Sequence, residues 1–197
     1  FYHIPGLRVV MPSTPSDAKG LLKYALRQED PVMFLEHKHL YMTKGLVPDG
    51  EHIIEFGKAD IKRPGKDVTL IAWSNMVPTT LAAAEELASQ GIDAEVVDPR
   101  TLVPLDKKTI LESVAKTKRV VIVQEANRRG GVASDICSII QEELFYDLDA
   151  PVSIVAGLDI PIPFNLTLEK ASVPQKQDVV AAARRVLHAD PIELAAE

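Results

Sequence analysis

Cysteine is almost missing from these 197 residues: Cys137 is the only one. No internal disulfide can form, and a reducing compartment is expected. Aromatic residues are scarce at 5%. No apolar run approaches the roughly 20 residues that a membrane helix requires, so no membrane partner is expected. Positive charge is also in deficit, with 22 basic against 28 acidic residues and a formal charge of −6. That argues against nucleic acid, or an anionic membrane surface, as the main partner. Internal repeats and low-complexity tracts do not occur. Neither a Gly-x-Ser-x-Gly elbow, a zinc motif nor a Ser-His-Asp signature appears. The opening "FYHIPG" lacks an initiator Met and reads as the start of a fragment or processed chain, whose targeting segment would lie upstream and out of view.

What is present is apolar. Such residues make up 46% of the chain, enough for a core in one large domain or two small ones. The stretch "GLRVVMPSTPSDAKGLLKYALRQEDPVMFLE", Gly6 to Glu36, reads as strand, helix, strand. "RVVM" is a short apolar run stopped by Pro12. Thr14 suits a helix cap, Pro15 the first helical position, and Asp17 the acidic place of a capping box. Ala18, Leu21, Leu22, Ala25 and Leu26 then recur at the spacing of one helical face. Pro31 disfavours helix at Asp30, and "VMFLE" is the second strand. This is a right-handed parallel crossover. Two parallel strands cannot cover both their faces, so partner strands must come from elsewhere.

From about Tyr41 the periodicity fades into "YMTKGLVPDGEHIIEFGKADIKRPGK", rich in Gly, Pro and charge. It reads as a linker with one short strand at "HIIEFG". Beyond it, strands and helices alternate. The strands are "VTLIAW", "DAEVVD", "RVVIVQE" and "PVSIVAG". The helices are "VPTTLAAAEELASQG" (started near Thr79 or Thr80, closed by Gly91), "LDKKTILESVAKT" (capped by Asp106), "GGVASDICSIIQEELFYDL" and "QKQDVVAAARRVLHA". The pattern predicts an α/β fold, an open and mostly parallel sheet flanked by helices. The expected organisation is the end of a first α/β domain over residues 1–43, a linker over 44–66, and a second α/β domain over 67–197.

Few residues suggest chemistry on their own. Gly130 and Gly131 open a helix beside Arg128 and Arg129, where an anion could rest, but the spacing fits neither the dinucleotide nor the P-loop fingerprint; a flexible helix entry is favoured. His37 and His39 would share a face of a continuing strand, yet a metal needs a third ligand that is not at hand. Cys137 lies beside an apolar helix face without a base, as a buried structural cysteine does. Asp98 and Glu125 end their strands at the edge where ligands gather in open α/β sheets; helix caps or loop salt bridges are the favoured alternative.

Taken together, "HIPGLRVVMPSTPSDAKGLL", "DPVMFLEHKHLY", "VDPRTLVPLD", "QEANRRGGVASDI", "EELFYDLDAPV" and "DIPIPFN" resemble the beta subunit of the thiamine-diphosphate-dependent decarboxylase component of 2-oxo acid dehydrogenase complexes. That family includes pyruvate, branched-chain and acetoin enzymes, within the transketolase-like superfamily. The resemblance implies that residues 1–43 close a pyrimidine-binding domain and that 67–197 form a transketolase C-terminal-domain-like unit. It implies thiamine diphosphate with Mg²⁺, held mainly by an alpha subunit and the upstream segment, in an α2β2 heterotetramer. The activity implied is oxidative decarboxylation of a 2-oxo acid with reductive acylation of lipoyl groups on a dihydrolipoyl acyltransferase core. The location implied is cytoplasmic in a prokaryote and the mitochondrial matrix in a eukaryote. The family's catalytic Glu, its pyrimidine-packing aromatic residue and its histidine near the substrate have no counterpart here. The chain alone is therefore expected to be inactive, with no catalytic and no cofactor-binding residue of its own. Two further sites are implied: a potassium site at Ala25, Leu26, Gln28 and Asp30, and an acyltransferase contact at Asp147 and Asp149. The potassium residues depart from the family, with Gln28 and Asp30 where the mitochondrial pyruvate enzyme has Asp and Asn. Another transketolase-like enzyme, of deoxyxylulose-phosphate synthase type, and a stand-alone assembly module are the alternatives.

Overall fold

The computed structural model describes residues 1–188. The first crossover forms as the sequence predicts. Strand β1 (Arg8–Val10) leads into helix α1 (Pro15–Ala25), which returns to strand β2 (Val32–Phe34), parallel to β1 with Arg8 opposite Val32. Thr14 caps α1: its hydroxyl oxygen accepts the Asp17 backbone N–H at 3.1 Å. The partner strand that β1 needs comes from far along the chain. It is β6 (Thr101–Val103), antiparallel to β1, which gives a three-stranded sheet in the order β2-β1-β6.

The second sheet holds five strands: β3 (Asp60–Arg63), β4 (Val68–Ala72), β5 (Ala94–Asp98), β7 (Val120–Asn127) and β8 (Ser153–Gly157), ordered β3-β5-β4-β7-β8. All but β3 run parallel; β3 pairs antiparallel with β5 along one edge. Residues of β4 are buried on both sides, which is why "VTLIA" is apolar but for Thr69, whose buried hydroxyl bonds to Ser113 and Thr117 at 2.8 Å each. Helices α2 (Met76–Ala88) and α6 (Lys176–His188) cover one face, where Val68, Leu70 and Ala72 meet Val77, Ala84, Leu87, Val179 and Ala183. Helices α3 (Lys107–Thr117) and α4 (Val132–Leu144) cover the other, where Ile71, Val97 and Ile122 meet Ile110, Val114, Ile136 and Ile140. Val9 of β1 and Leu102 of β6 join this second core, so the two sheets share packing. Each fully buried Leu or Ile contributes about 1.5–3 kcal/mol.

Several local expectations are corrected. "HIIEFG" is not a strand; the strand in that stretch is β3, within the segment read as a linker. β3 is an edge strand carrying Asp60, Lys62 and Arg63, and charge on an edge hides the alternation that identifies a strand. α2 begins at Met76, not at Thr79 or Thr80, and Asn75 at its cap makes no side-chain capping bond. "EHKHLY" leaves the extended conformation after His37 and turns as a 3₁₀ helix at Lys38–Met42. The short helix α5 (Leu166–Ser172), capped by Asn165, has no counterpart in the sequence reading.

Candidate functional site

The densest polar chemistry lies where the first sheet meets the second. Four elements converge. The β1–α1 turn brings Ser13, α1 brings Asp17, β3 brings Asp60 and Lys62, and the carboxyl end of β5 brings Asp98 followed by Arg100. Lys62 Nζ stands 2.6 Å from Asp17 Oδ2, 2.8 Å from Asp60 Oδ2 and 3.7 Å from Asp98 Oδ2. Arg100 Nη1 lies 3.3 Å from Asp17 Oδ1, and its Nε donates to the Lys58 carbonyl at 2.9 Å. The Ser13 hydroxyl donates to Asp98 Oδ2 at 2.5 Å, and the Arg100 backbone N–H donates to Asp98 Oδ1 at 2.8 Å. Arg100 adopts a positive φ of 58°.

Burial sets the charges of this cluster. Asp98 is 0% exposed and Asp17 2%. Burial pushes the Asp98 carboxyl up from 3.8 to about 6, against the opposing pull of Lys62 and Ser13. For Asp17, burial also raises, but the Lys62 charge, the bonds from Lys62 and Thr14, and Arg100 outweigh it and hold the carboxyl below its ordinary value. Burial works to lower Lys62, and Asp98 with Asp17 more than reverse that, so its ammonium is held above its ordinary value. Asp98, a strand-end carboxylate expected in a loop salt bridge or helix cap, is instead the buried centre of the cluster. Ser13 and Lys62 belong to the cluster without any mark in the sequence. Their partners lie 85 residues away for Ser13 and 45 away for Lys62, and no local signal marks such pairs.

A second contact crosses the same junction. His37 Nε2 lies 3.1 Å from the Glu125 carboxylate at the end of β7, while His37 Nδ1 accepts the His39 N–H at 3.2 Å. The two imidazoles meet edge to face with centroids 5.1 Å apart. A cavity of about 190 Å³ opens beside them, lined by Pro12, Thr14, Pro15, His37, Leu40 and Tyr41 among others. Among the described residues, no three His, Cys, Asp or Glu side chains gather as metal ligands.

The remaining candidates fall as follows. The Gln124 side chain fills the entry to α4: its Oε1 accepts the Ala133 N–H at 2.9 Å and its Nε2 donates to the Asn127 carbonyl at 2.7 Å. Arg129 pairs with Asp159, so protein groups already serve the space read as an anion rest. Cys137 is partly buried, and burial raises its thiol further from reactivity. Ala25, Leu26, Gln28 and Asp30 sit together at the C-terminal end of α1. The Ala25 carbonyl accepts the Gln28 N–H at 3.1 Å, and Asp30 pairs with Arg8 at 2.8 Å. Asp147 lies exposed in a 3₁₀ turn after α4, next to the exposed rings of Phe145 and Tyr146. Asp149 pairs with Arg119 at 3.0 Å.

Comparison with known proteins adds the following. A family model described as the transketolase C-terminal domain matches residues 57–179, and one described as the transketolase pyrimidine binding domain matches residues 1–44. The chain is 49% identical over 187 residues to the beta subunit of an acetoin:2,6-dichlorophenolindophenol oxidoreductase of Cupriavidus necator, covering 95% of this chain and 55% of that protein. It is 48% identical to the 2-oxoisovalerate dehydrogenase subunit beta of Bacillus subtilis, covering 94% of this chain and 58% of that one. To the pyruvate dehydrogenase E1 component subunit beta of the same organism it is also 48% identical, covering 93% and 56%. The chain thus spans little more than half the length of these relatives. Among solved structures, a split-gene transketolase described as an inactive beta4 tetramer aligns at 29% identity with a TM-score of 0.78, over 95% of this chain and 59% of that one.

Proposed function

Because this chain belongs to the transketolase C-terminal-domain family, we propose that it is the C-terminal part of the beta subunit of a thiamine-diphosphate-dependent decarboxylase serving a 2-oxo acid dehydrogenase complex. What supports this most is the 48–49% identity, over nearly the whole chain and both family models, to beta subunits of acetoin, 2-oxoisovalerate and pyruvate enzymes. In this reading residues 1–43 end the pyrimidine-binding domain, the chain from 44 to 66 connects, and 67–197 form the assembly domain, with β3 at the end of the connection added to that domain's sheet as an edge strand. The working form is an α2β2 heterotetramer on an acyltransferase core, in the cytoplasm of a prokaryote or the mitochondrial matrix of a eukaryote.

The described residues do not by themselves fit thiamine diphosphate. The cavity of about 190 Å³ beside His37 is below the roughly 300 Å³ at which ligand pockets begin. Neither its lining nor that of the open cleft of about 620 Å³ at Ile162, Pro163, Phe164, Leu166 and Glu169 contains a Lys or Arg for a diphosphate. In this reading the alpha subunit and the upstream segment hold the cofactor and its Mg²⁺. The contribution of these residues is architectural: they set how the end of the pyrimidine-binding domain sits on the C-terminal domain. The potassium site at Ala25, Leu26, Gln28 and Asp30 belongs to the same proposal, resting on the negative dipole character of a helix C-terminus; a cation there would share the Ala25 carbonyl with the Gln28 N–H and Asp30 with Arg8. Co-expression of the full-length protein with an alpha subunit should give a four-chain species by size-exclusion chromatography with light scattering. A lone active monomer would contradict the reading, and so would a stable chain that never associates with the alpha subunit.

The acyltransferase contact yields a sharper expectation. Asp147 and Asp149 offer carboxylates to a basic partner module beside the exposed Phe145 and Tyr146. Docking requires Asp149 to share or exchange Arg119. Asp149→Ala should weaken binding of the partner module by roughly 1–3 kcal/mol at low salt, with the loss shrinking as salt rises. Folding should change little, because the Arg119–Asp149 pair is partly exposed on both sides and pairs open to solvent are worth about 0–1 kcal/mol. Titration calorimetry giving wild-type affinity for the variant would remove Asp149 from the contact.

A further inference from the structure

The junction cluster is not balanced. Asp17, Asp60 and Asp98 bring three carboxylates, while Lys62 and Arg100 bring two cations. The imbalance falls on Asp98. Lys62 is 2.6 Å and 2.8 Å from the other two carboxylates but 3.7 Å from Asp98. The Arg100 guanidinium is committed to Asp17 and to the carbonyls of Lys58 and Ala59. What reaches Asp98 closely is neutral: the Ser13 hydroxyl at 2.5 Å and the Arg100 backbone N–H at 2.8 Å. Asp98 is also completely buried, and an incompletely compensated charge in such a place is costly.

The cluster spans two parts of the chain. Ser13 and Asp17 belong to the β1–α1 segment, whereas Asp60, Lys62, Asp98 and Arg100 belong to the five-stranded sheet and its edge. We propose that Asp98 is a proton-operated latch between these parts: neutral Asp98 closes the junction, and ionised Asp98 leaves a buried negative charge that loosens the seating of α1. Protonated Asp98 still accepts the Arg100 N–H through Oδ1. Its hydroxyl then donates to Ser13 Oγ, which is free to donate to Asp17 Oδ2, 3.4 Å away.

The upward displacement of Asp98 to about 6 supports the geometry and fixes the sign. The folded chain binds this proton more tightly than the unfolded chain, so ionisation opposes folding. The penalty is absent below the ordinary value of 3.8, grows from there to about 6, and is complete above it. Asp17 acts oppositely and lower: its contribution is present above its ordinary value and lost only as pH falls through its depressed folded value. Lys62, held above its ordinary value, loses its contribution only in strong alkali. The window from pH 5 to 7.5 therefore isolates Asp98 within the cluster.

The test compares the wild-type chain with Asp98→Asn, whose amide oxygen accepts the Arg100 N–H while its NH₂ takes the place of the protonated oxygen. Chemical denaturation is followed from pH 5 to 7.5, with hydrogen exchange of the α1 amides measured on the same samples. At pH 7.5 the variant should be the more stable. A displacement of about two pH units corresponds to a folding equilibrium about 100-fold in its favour, and the advantage should shrink severalfold by pH 5. Exchange of α1, corrected for intrinsic rates, should accelerate with pH more in the wild type than in the variant; His52, whose Nε2 lies 3.0 Å from the Ser16 hydroxyl of α1, is common to both and cancels in the difference. A variant less stable at pH 7.5, a stability difference independent of pH, or α1 exchange that follows pH equally in both proteins would each overturn the latch.

Discussion

Replacement of Lys62 by methionine is expected to lower the stability of the chain by about 3–5 kcal/mol at neutral pH, the scale of breaking a buried ion pair from one side. Lys62 is 10% exposed in its side chain and holds Asp17, which is 3% exposed, and Asp98, which is 0% exposed. Methionine keeps most of the apolar stem but leaves the Asp17, Asp60 and Asp98 carboxylates with Arg100 alone as counter-charge. For a chain of this size the melting temperature should fall on the order of 10 °C. The loss should be smaller near pH 5, because Asp98 then accepts a proton in place of the missing ammonium. Adding Asp98→Asn to the Lys62 variant should recover part of it, and the double-mutant cycle should show coupling, as neighbours in one network do. Additive effects at all pH values would mean that the two side chains do not share a charge balance.

Gly65→Val should be at least as damaging, by a different route. A Cβ at Gly65 would lie 2.3 Å from Ala94 C and from Glu95 N, and 2.6 Å from Ala94 O. These are backbone atoms of β5, next to the sheet centre, and they cannot turn aside as a side chain can. The alternative is to push the β3–β4 connection away from β5. That would pull the Gly65 N–H from Glu95 Oε2, now at 3.2 Å, and disturb the Lys66 and Asp67 N–H bonds to the Asp93 carbonyl, both 2.9 Å. A loss above about 3 kcal/mol is expected, at the upper end of overpacking effects. Circular dichroism melts would measure it. A variant within about 1 kcal/mol of wild type would show that this connection has room that the backbone contacts deny.

These two residues mark where the sequence was and was not readable. Strands such as "VTLIA" and "VVIV" stand out because both faces are buried, so the run is apolar almost throughout. The Thr14 cap and the α1 stripe are legible because their partners lie within one turn. β3 and β6 are not. Each has only three or four residues, and each is a strand because of a partner distant in sequence: β5 for β3, β1 for β6. The same reason hides the junction cluster. Asp17 looks like an ordinary capping acid and Lys62 like a linker charge, and only the fold brings them to 2.6 Å. Asp98 was visible as a strand-end carboxylate, but its burial was not, since "VVDPR" carries no mark of the α1 segment that covers it. The potassium and docking candidates came from family resemblance, and their placement on a helix end and an exposed turn supplies positions without ligands.

The most direct measurement of the central reading is reduction of an artificial electron acceptor by the full-length protein co-purified with its alpha subunit. It would be run with thiamine diphosphate and Mg²⁺ against pyruvate, branched-chain 2-oxo acids and acetoin. Turnover of one of these substrates is expected, dependent on the cofactor and on both subunits, with none from the 197-residue chain by itself. Decarboxylation by this chain alone after contamination is excluded, or a well-assembled complex inert toward every substrate in the panel, would contradict it.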